Sequence, residues 1–116
     1  MNEELKSIFT NFKVNGKEIE VSHLRYKGTS KTFVIWSILS ERPSINANDE
    51  DLYGVVEVDI DVYSDGNYLD IIKEIKKLMK FNDWLWGEDS PEMYEEDEGL
   101  YHRTITFEKE RMITNG

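Results

Sequence analysis

The stretch Tyr53-Gly-Val-Val-Glu-Val-Asp-Ile-Asp-Val-Tyr63, run through Ser64-Asp-Gly-Asn67 into a helical pattern, constrains this chain more than any other. Val56, Val58, Ile60 and Val62 fall on one side of an extended backbone, and Val55, Glu57, Asp59 and Asp61 on the other. That period of two marks a half-buried strand. One face belongs to a core, the other to water or a partner. Ser64, Asp65 or Asn67 is available as the N-cap of the helix that follows. From Tyr68 to about Lys80, the residues Tyr68, Ile71, Ile72, Ile75, Leu78 and Met79 make one apolar stripe. Lysines crowd its last turns, where the helix dipole favours cations.

The other segments are arranged around this unit. Leu5, Ile8, Phe9 and Phe12 recur at helical spacing and predict a short helix over residues 2–12, docked on the sheet or on a neighbouring subunit. Asn15-Gly16 is a turn signal between short extended pieces. Lys17 to Tyr26 alternates loosely, as an edge strand does. Thr32 to Leu39 is β-branched and aromatic on both faces, which predicts a central strand covered on both sides. Ser40 to Asp51 reads as a long flexible loop containing Pro43. Trp84-Leu-Trp86 reads as a short strand with both indoles on one face, Gly87 and Gly99 as turn residues, and Glu92 to Glu98 as an acidic segment. Leu100 to Lys109 alternates as a closing strand with Ile105 and Phe107 inward.

These elements predict an α+β fold. The expected architecture is an antiparallel sheet with one long amphipathic helix after the central strand and an N-terminal helix packed on the sheet. One domain spans 1–116, with residues 1–31 as N-terminal helix and edge segment and 111–116 as a loose tail.

Charge narrows the function classes. Twenty-four acidic residues stand against 14 basic ones, a net charge of −10. Nucleic-acid binding needs clustered Lys and Arg, so free nucleic acid is not the expected partner. The acid excess suits solubility, a surface that repels DNA, or a basic partner. Cysteine is absent, which removes disulfides, a thiolate nucleophile and Cys-ligated zinc. The acidic start, Met1-Asn-Glu-Glu, predicts no export signal, and no apolar run approaches the ~20 residues that span a bilayer, so no membrane is expected.

Glu57, Asp59 and Asp61 place three carboxylates on one strand face. A hard cation wants converging oxygens, whereas alternate strand residues stand side by side, roughly 7 Å apart. The readings open to them are an acidic stripe facing solvent or a lumen, cross-strand pairing with Lys or Arg, and a metal site. The stripe or the pairing is expected, with no metal and no cofactor. The acidic run Tyr94-Glu-Glu-Asp-Glu98 lacks the separated carboxyl pair of a glycosidase. His102, beside Tyr101 and Arg103, suits a hydrogen-bonded structural role, and with His23 it completes the histidine inventory. No nucleophile elbow, phosphate loop or dinucleotide fingerprint occurs, so no catalytic residues are expected. Trp84 and Trp86 would serve a core or subunit contact better than base stacking on so acidic a chain.

Val58-Asp-Ile-Asp-Val-Tyr-Ser-Asp-Gly-Asn-Tyr68, the helix Ile71 to Met79, Pro91-Glu-Met-Tyr-Glu-Glu-Asp97, Gly99-Leu-Tyr-His-Arg103 and the earlier Glu41-Arg-Pro43 together resemble a known group. It is the tail terminator, or tail-completion (tail-to-head joining), family of tailed bacteriophages and Gram-positive prophages. The resemblance covers roughly residues 32–110. It implies an antiparallel sheet of about four strands flanked by helices, in a structural virion protein made in the bacterial cytoplasm, with six copies closing into a ring at the head-proximal end of the tail tube. Its partners would be itself, the tail-tube protein and the head connector, with DNA passing through without specific binding. Glu57, Asp59, Asp61, Arg42, Trp84 and Trp86 are then the candidate lumen or subunit-interface residues. Two other classes remain: a small acidic adaptor or inhibitor that binds a basic host protein, and a hydrolase using the acidic segments.

Overall fold

The computed structural model describes residues 2–43 and 53–112. In chain order the elements are α1 (Asn2–Ile8), β1 (Lys13–Val14), β2 (Lys17–Glu18), β3 (Glu20–His23), β4 (Phe33–Pro43), β5 (Tyr53–Ser64), α2 (Leu69–Phe81), β6 (Leu85–Asp89), β7 (Met93–Glu95) and β8 (Leu100–Met112). β1 and β2 form a miniature antiparallel hairpin. Its turn residues, Asn15 at φ 54° and Gly16 at φ 78°, both occupy the left-handed region that a tight hairpin requires. The remaining strands make one sheet in the order β3-β4-β5-β8-β6, with β7 also paired to β8.

This architecture corrects the expected one. The domain is α+β, but among the described residues it holds eight strands in two sheets rather than about four in one, and two short helices of 7 and 13 residues. The large sheet is not purely antiparallel, because β3 runs parallel to β4. A parallel neighbour carries no turn signature at its join, so nothing local in the chain betrays it. β7 is three residues long, too short to show a period. The N-terminal helix stops at Ile8, and Asn11 at φ 54° turns the chain before Phe12.

Several boundaries move as well. Residues 40–43, expected in a loop, extend β4, while 44–51 lie outside the described residues. Arg111 and Met112, expected in a loose tail, continue β8, and 113–116 lie outside the described residues. Gly87 is not a turn residue but sits within β6 at an irregularity between Trp86 and Glu88. A Cβ there would lie 3.2 Å from the Thr106 carbonyl oxygen, so the backbones approach too closely for another residue without adjustment.

β5 lies at the middle of the sheet, flanked by β4 and β8 along its length. Its alternation is observed: Val56, Val58, Ile60 and Val62 are buried at 0–1% exposure, whereas Val55, Glu57, Asp59 and Asp61 are half-buried. The buried face meets Leu5, Phe9, Phe12, Ile71, Ile72, Ile75 and Met79 from the helical side, together with Trp36, Ile105 and Phe107 from neighbouring strands. Burying each such side chain contributes roughly 1.5–3 kcal/mol. The helix enters through Asn67, whose Oδ1 accepts from the Leu69 N–H at 2.9 Å; Tyr68, at the cap position, makes no side-chain cap bond. It leaves through Asp83 at φ 69°, with the Trp84 N–H returning to the Met79 carbonyl at 3.0 Å.

Thr32 to Leu39 is not the doubly covered central strand that was expected. Val34 and Trp36 face the core, but Phe33, Ile35 and Ser37 remain half-buried on the opposite face, where no helix lies among the described residues. An irregularity between Ile38 and Ser40 lets Leu39 bulge to 53% exposure. The fold therefore has one helix-covered and one open sheet face. No described helix is long and apolar enough to cross a membrane.

Candidate functional site

The open face gathers most of the chemistry. Along its centre, β5 presents Glu57, Asp59, Asp61 and Tyr63; β4 lays Phe33, Ile35, Ser40 and Arg42 beside them, and β8 lays His102, Thr104, Thr106 and Glu108. Each carboxylate of the stripe is held from a neighbouring strand. Glu57 Oε1 accepts from Arg42 Nη1 at 2.9 Å and from Ser40 Oγ at 3.1 Å. Asp59 accepts from the Thr106 hydroxyl at 2.8 Å. Asp61 Oδ1 accepts from the Thr104 hydroxyl at 2.5 Å and faces His102 Nε2 at 2.9 Å. The cross-strand partners of the stripe are thus an arginine, a serine, a histidine and two threonines, and pairing with Lys or Arg occurs at Glu57 alone.

At one end of the face, four rings stack across the strands. Tyr26 lies on Phe33 at 4.0 Å between centroids, Phe33 on Tyr63 at 4.9 Å, and Tyr63 on His102 at 4.1 Å, with interplanar angles of 12–17°. Phe33, Tyr63 and His102 are register partners, so the pairing of the strands itself builds this ladder. His102 closes it. Its Nδ1 faces Glu95 of β7 at 3.4 Å while Nε2 faces Asp61, so an imidazolium donates to both carboxylates. With only 14% of the side chain exposed, the ring ties β7 to β5 through β8.

These surroundings shift the local titrations. The Asp61 hydrogen bond, above all, raises the His102 pKa from its ordinary value; burial opposes it, and the Asp61 charge and the Glu95 contacts add to the rise. Burial pushes the Asp59 carboxyl up, the Thr106 hydroxyl pulls it down, and the charges of Asp61, Glu57 and Glu88 push it up again. Burial also raises the Tyr63 phenol.

A raised folded-state histidine pKa stabilises the fold fully below the unfolded value, near ~6.5, and that contribution is lost as pH rises through the folded pKa. Urea midpoints should therefore fall as pH climbs from about 6.5 upward. His102→Gln should flatten this slope while retaining a folded protein. An unchanged slope in the variant would assign the pH dependence to other groups.

Chemically, the face positions hydrogen bonds and charge. Both nitrogens of His102 are engaged by carboxylates, and each acid of the stripe has a partner of its own. Among the described residues, no three His, Asp or Glu side chains are grouped as metal ligands would be.

The candidate residues named from the sequence separate into three places. Arg42, Glu57, Asp59 and Asp61 come together on the open face. Trp84 does not join them, nor does it share a strand face with Trp86. It precedes β6 and is buried at 2% exposure, its Nε1 donating to Glu4 Oε2 at 3.2 Å with Lys109 Nζ 5.4 Å from its ring. Trp86 is 54% exposed on the helical side, donates to Asp89 Oδ1 at 2.8 Å and carries Lys76 Nζ 5.0 Å above its ring. The face residues that the sequence does not single out are Tyr26, Phe33 and Tyr63, while Glu95 stands out only as part of the acidic run. Strand register brings Phe33, Tyr63 and Glu95 to the face, the connection after β3 adds Tyr26, and neither leaves a mark in any one segment.

Fold and face define an α+β domain whose sheet is covered by helices on one side and lined with paired acids and stacked rings on the other. No family model matches this chain, and neither does any curated protein.

Proposed function

We propose that this protein is a non-enzymatic structural subunit, a ring-forming tail terminator that ends tail-tube growth and joins the tail to the head connector. The observation that supports this reading best is the open sheet face. A broad, rigid, strongly acidic surface with its side chains held from neighbouring strands suits a lumen or a subunit contact, where like charge keeps passing DNA from sticking. The segments that resemble tail terminators fall on β5, α2, β7 and β8, so the resemblance coincides with the framework of the domain.

Size-exclusion chromatography with light scattering, followed by mixing with purified tail tubes, tests it. The expected result is a ring-sized oligomer, or a monomer that assembles on tube ends and stops their elongation. A strict monomer at high concentration that leaves tube growth unchanged would reject the reading. That second outcome favours the adaptor class, in which the same acid-rich face meets a basic protein. Among the described residues, eight carboxylates there (Glu20, Glu57, Asp59, Asp61, Glu88, Glu95, Glu108 and Glu110) stand against Arg42 and His102.

A further inference from the structure

We propose that the lysine-rimmed apolar patch at the C-terminal end of α2 receives the acidic sheet face of a second copy of this chain, so that copies join head to tail. The proposal rests on the ring-forming reading above and names the surfaces that would build the ring.

The patch holds three of the exposed large apolar side chains among the described residues. Phe81 is 84% exposed, Leu85 65% and Trp86 54%. Two shallow grooves meet there and share Lys80: one of about 390 Å³ between α2 and β6, floored by Trp84 and Phe107, and one of about 580 Å³ beside Leu78 and Phe81. Contiguous exposed apolar surface rimmed by charge is the usual mark of an interaction site. Lys76 is occupied by Asp89 at 2.9 Å. Among the described residues, Lys77 and Lys80 have no ion-pair partner, and Glu74 is the acid that lines the second groove.

Charge decides the occupant. On a chain of net charge −10, unpaired lysines around apolar side chains call for an acidic surface with apolar content. The open sheet face of the same molecule supplies both: its carboxylate excess lies beside half-buried Ile35, the register partner of Asp61. Two complementary surfaces on one chain make a heterologous contact, which closes into a ring or winds into a filament. β6 is the terminal strand of the sheet, with Leu85 opposite Glu108 and Trp86 opposite Phe107, so the patch wraps this edge instead of lying directly behind the acidic face.

The test uses the full chain and two variants. The patch variant is Lys77→Glu with Lys80→Glu, backed by Phe81→Ser at a position so exposed that folding does not depend on it. The face variant is Asp59→Asn with Glu108→Lys, in which the amide can still accept the Thr106 hydrogen bond. Sedimentation velocity should show a wild-type oligomer that dissociates as salt is raised, and each variant self-associating roughly tenfold more weakly or worse. An equimolar mixture of the two should stop at a heterodimer, because one intact patch and one intact face then remain to meet. Thermal melts report whether each variant is folded. Wild-type-like oligomers from the folded patch variants would overturn this contact while leaving the ring in place. A wild-type protein that stays monomeric, even on tail tubes, would overturn the contact and the ring together.

Discussion

Replacing Ile75 by Asp is expected to leave the chain unfolded at room temperature. Ile75 is completely buried, in the middle of α2 and within the main cluster that includes the apolar side of β5. Truncating such a side chain to Ala costs about 2–5 kcal/mol through lost burial and the cavity left behind. Aspartate adds the desolvation of a carboxylate with no apparent partner in that cluster, or the work of protonating it. Domains of this kind have about 5–15 kcal/mol in total. Ile75→Ala should therefore remain folded with a clearly lowered urea midpoint, while Ile75→Asp should lose its cooperative transition. A normal melt for Ile75→Asp would mean that α2 does not present this residue to the sheet.

The second large effect separates the two tryptophans. Trp84→Ala should cost about 3–5 kcal/mol, the usual range for emptying a buried aromatic site. The indole fills the space between α1, the end of α2 and β8; its removal also deletes the hydrogen bond to Glu4 and uncovers Lys109, whose Nζ lies 2.6 Å from Glu4 Oε2 and 3.0 Å from the Asn82 carbonyl oxygen. Trp86→Ala should cost less than about 1 kcal/mol, because the side chain is more than half exposed and its bond to Asp89 is a surface contact. Paired chemical denaturation of the two variants checks both figures. Equal losses would place the two indoles in equivalent environments, against the burial seen here.

That contrast also shows why parts of the site were hidden in the sequence. Trp84 and Trp86 are two residues apart, so on a continuous strand they share a face. The strand begins only at Leu85, after Asp83 has turned the chain at positive φ, and the pair is split between the core and the surface. Gly87 was misread for a related reason: its requirement comes from the carbonyl of Thr106 on another strand, not from a local turn. Arg42 was recognised only through the motif Glu41-Arg-Pro43. Its role on the face comes from the bulge at Leu39, which shifts the register so that Arg42 lies diagonal to Glu57.

The amino-acid sequence by itself determined the face-by-face character of β5 and the apolar stripe of α2. Both are periodicities of a single backbone segment, and burial acts on them directly. It also determined that Glu57, Asp59 and Asp61 share one side. Tertiary structure alone decided the number of strands, the parallel docking of β3, the burial of Trp84 and the partners of the three acids. Those depend on which strands become neighbours and in what register, a choice made by packing across distant segments. The Asp61–His102 pair, separated by 41 residues in the chain, exists only because β5 and β8 align Asp61 with Thr104 and Tyr63 with His102.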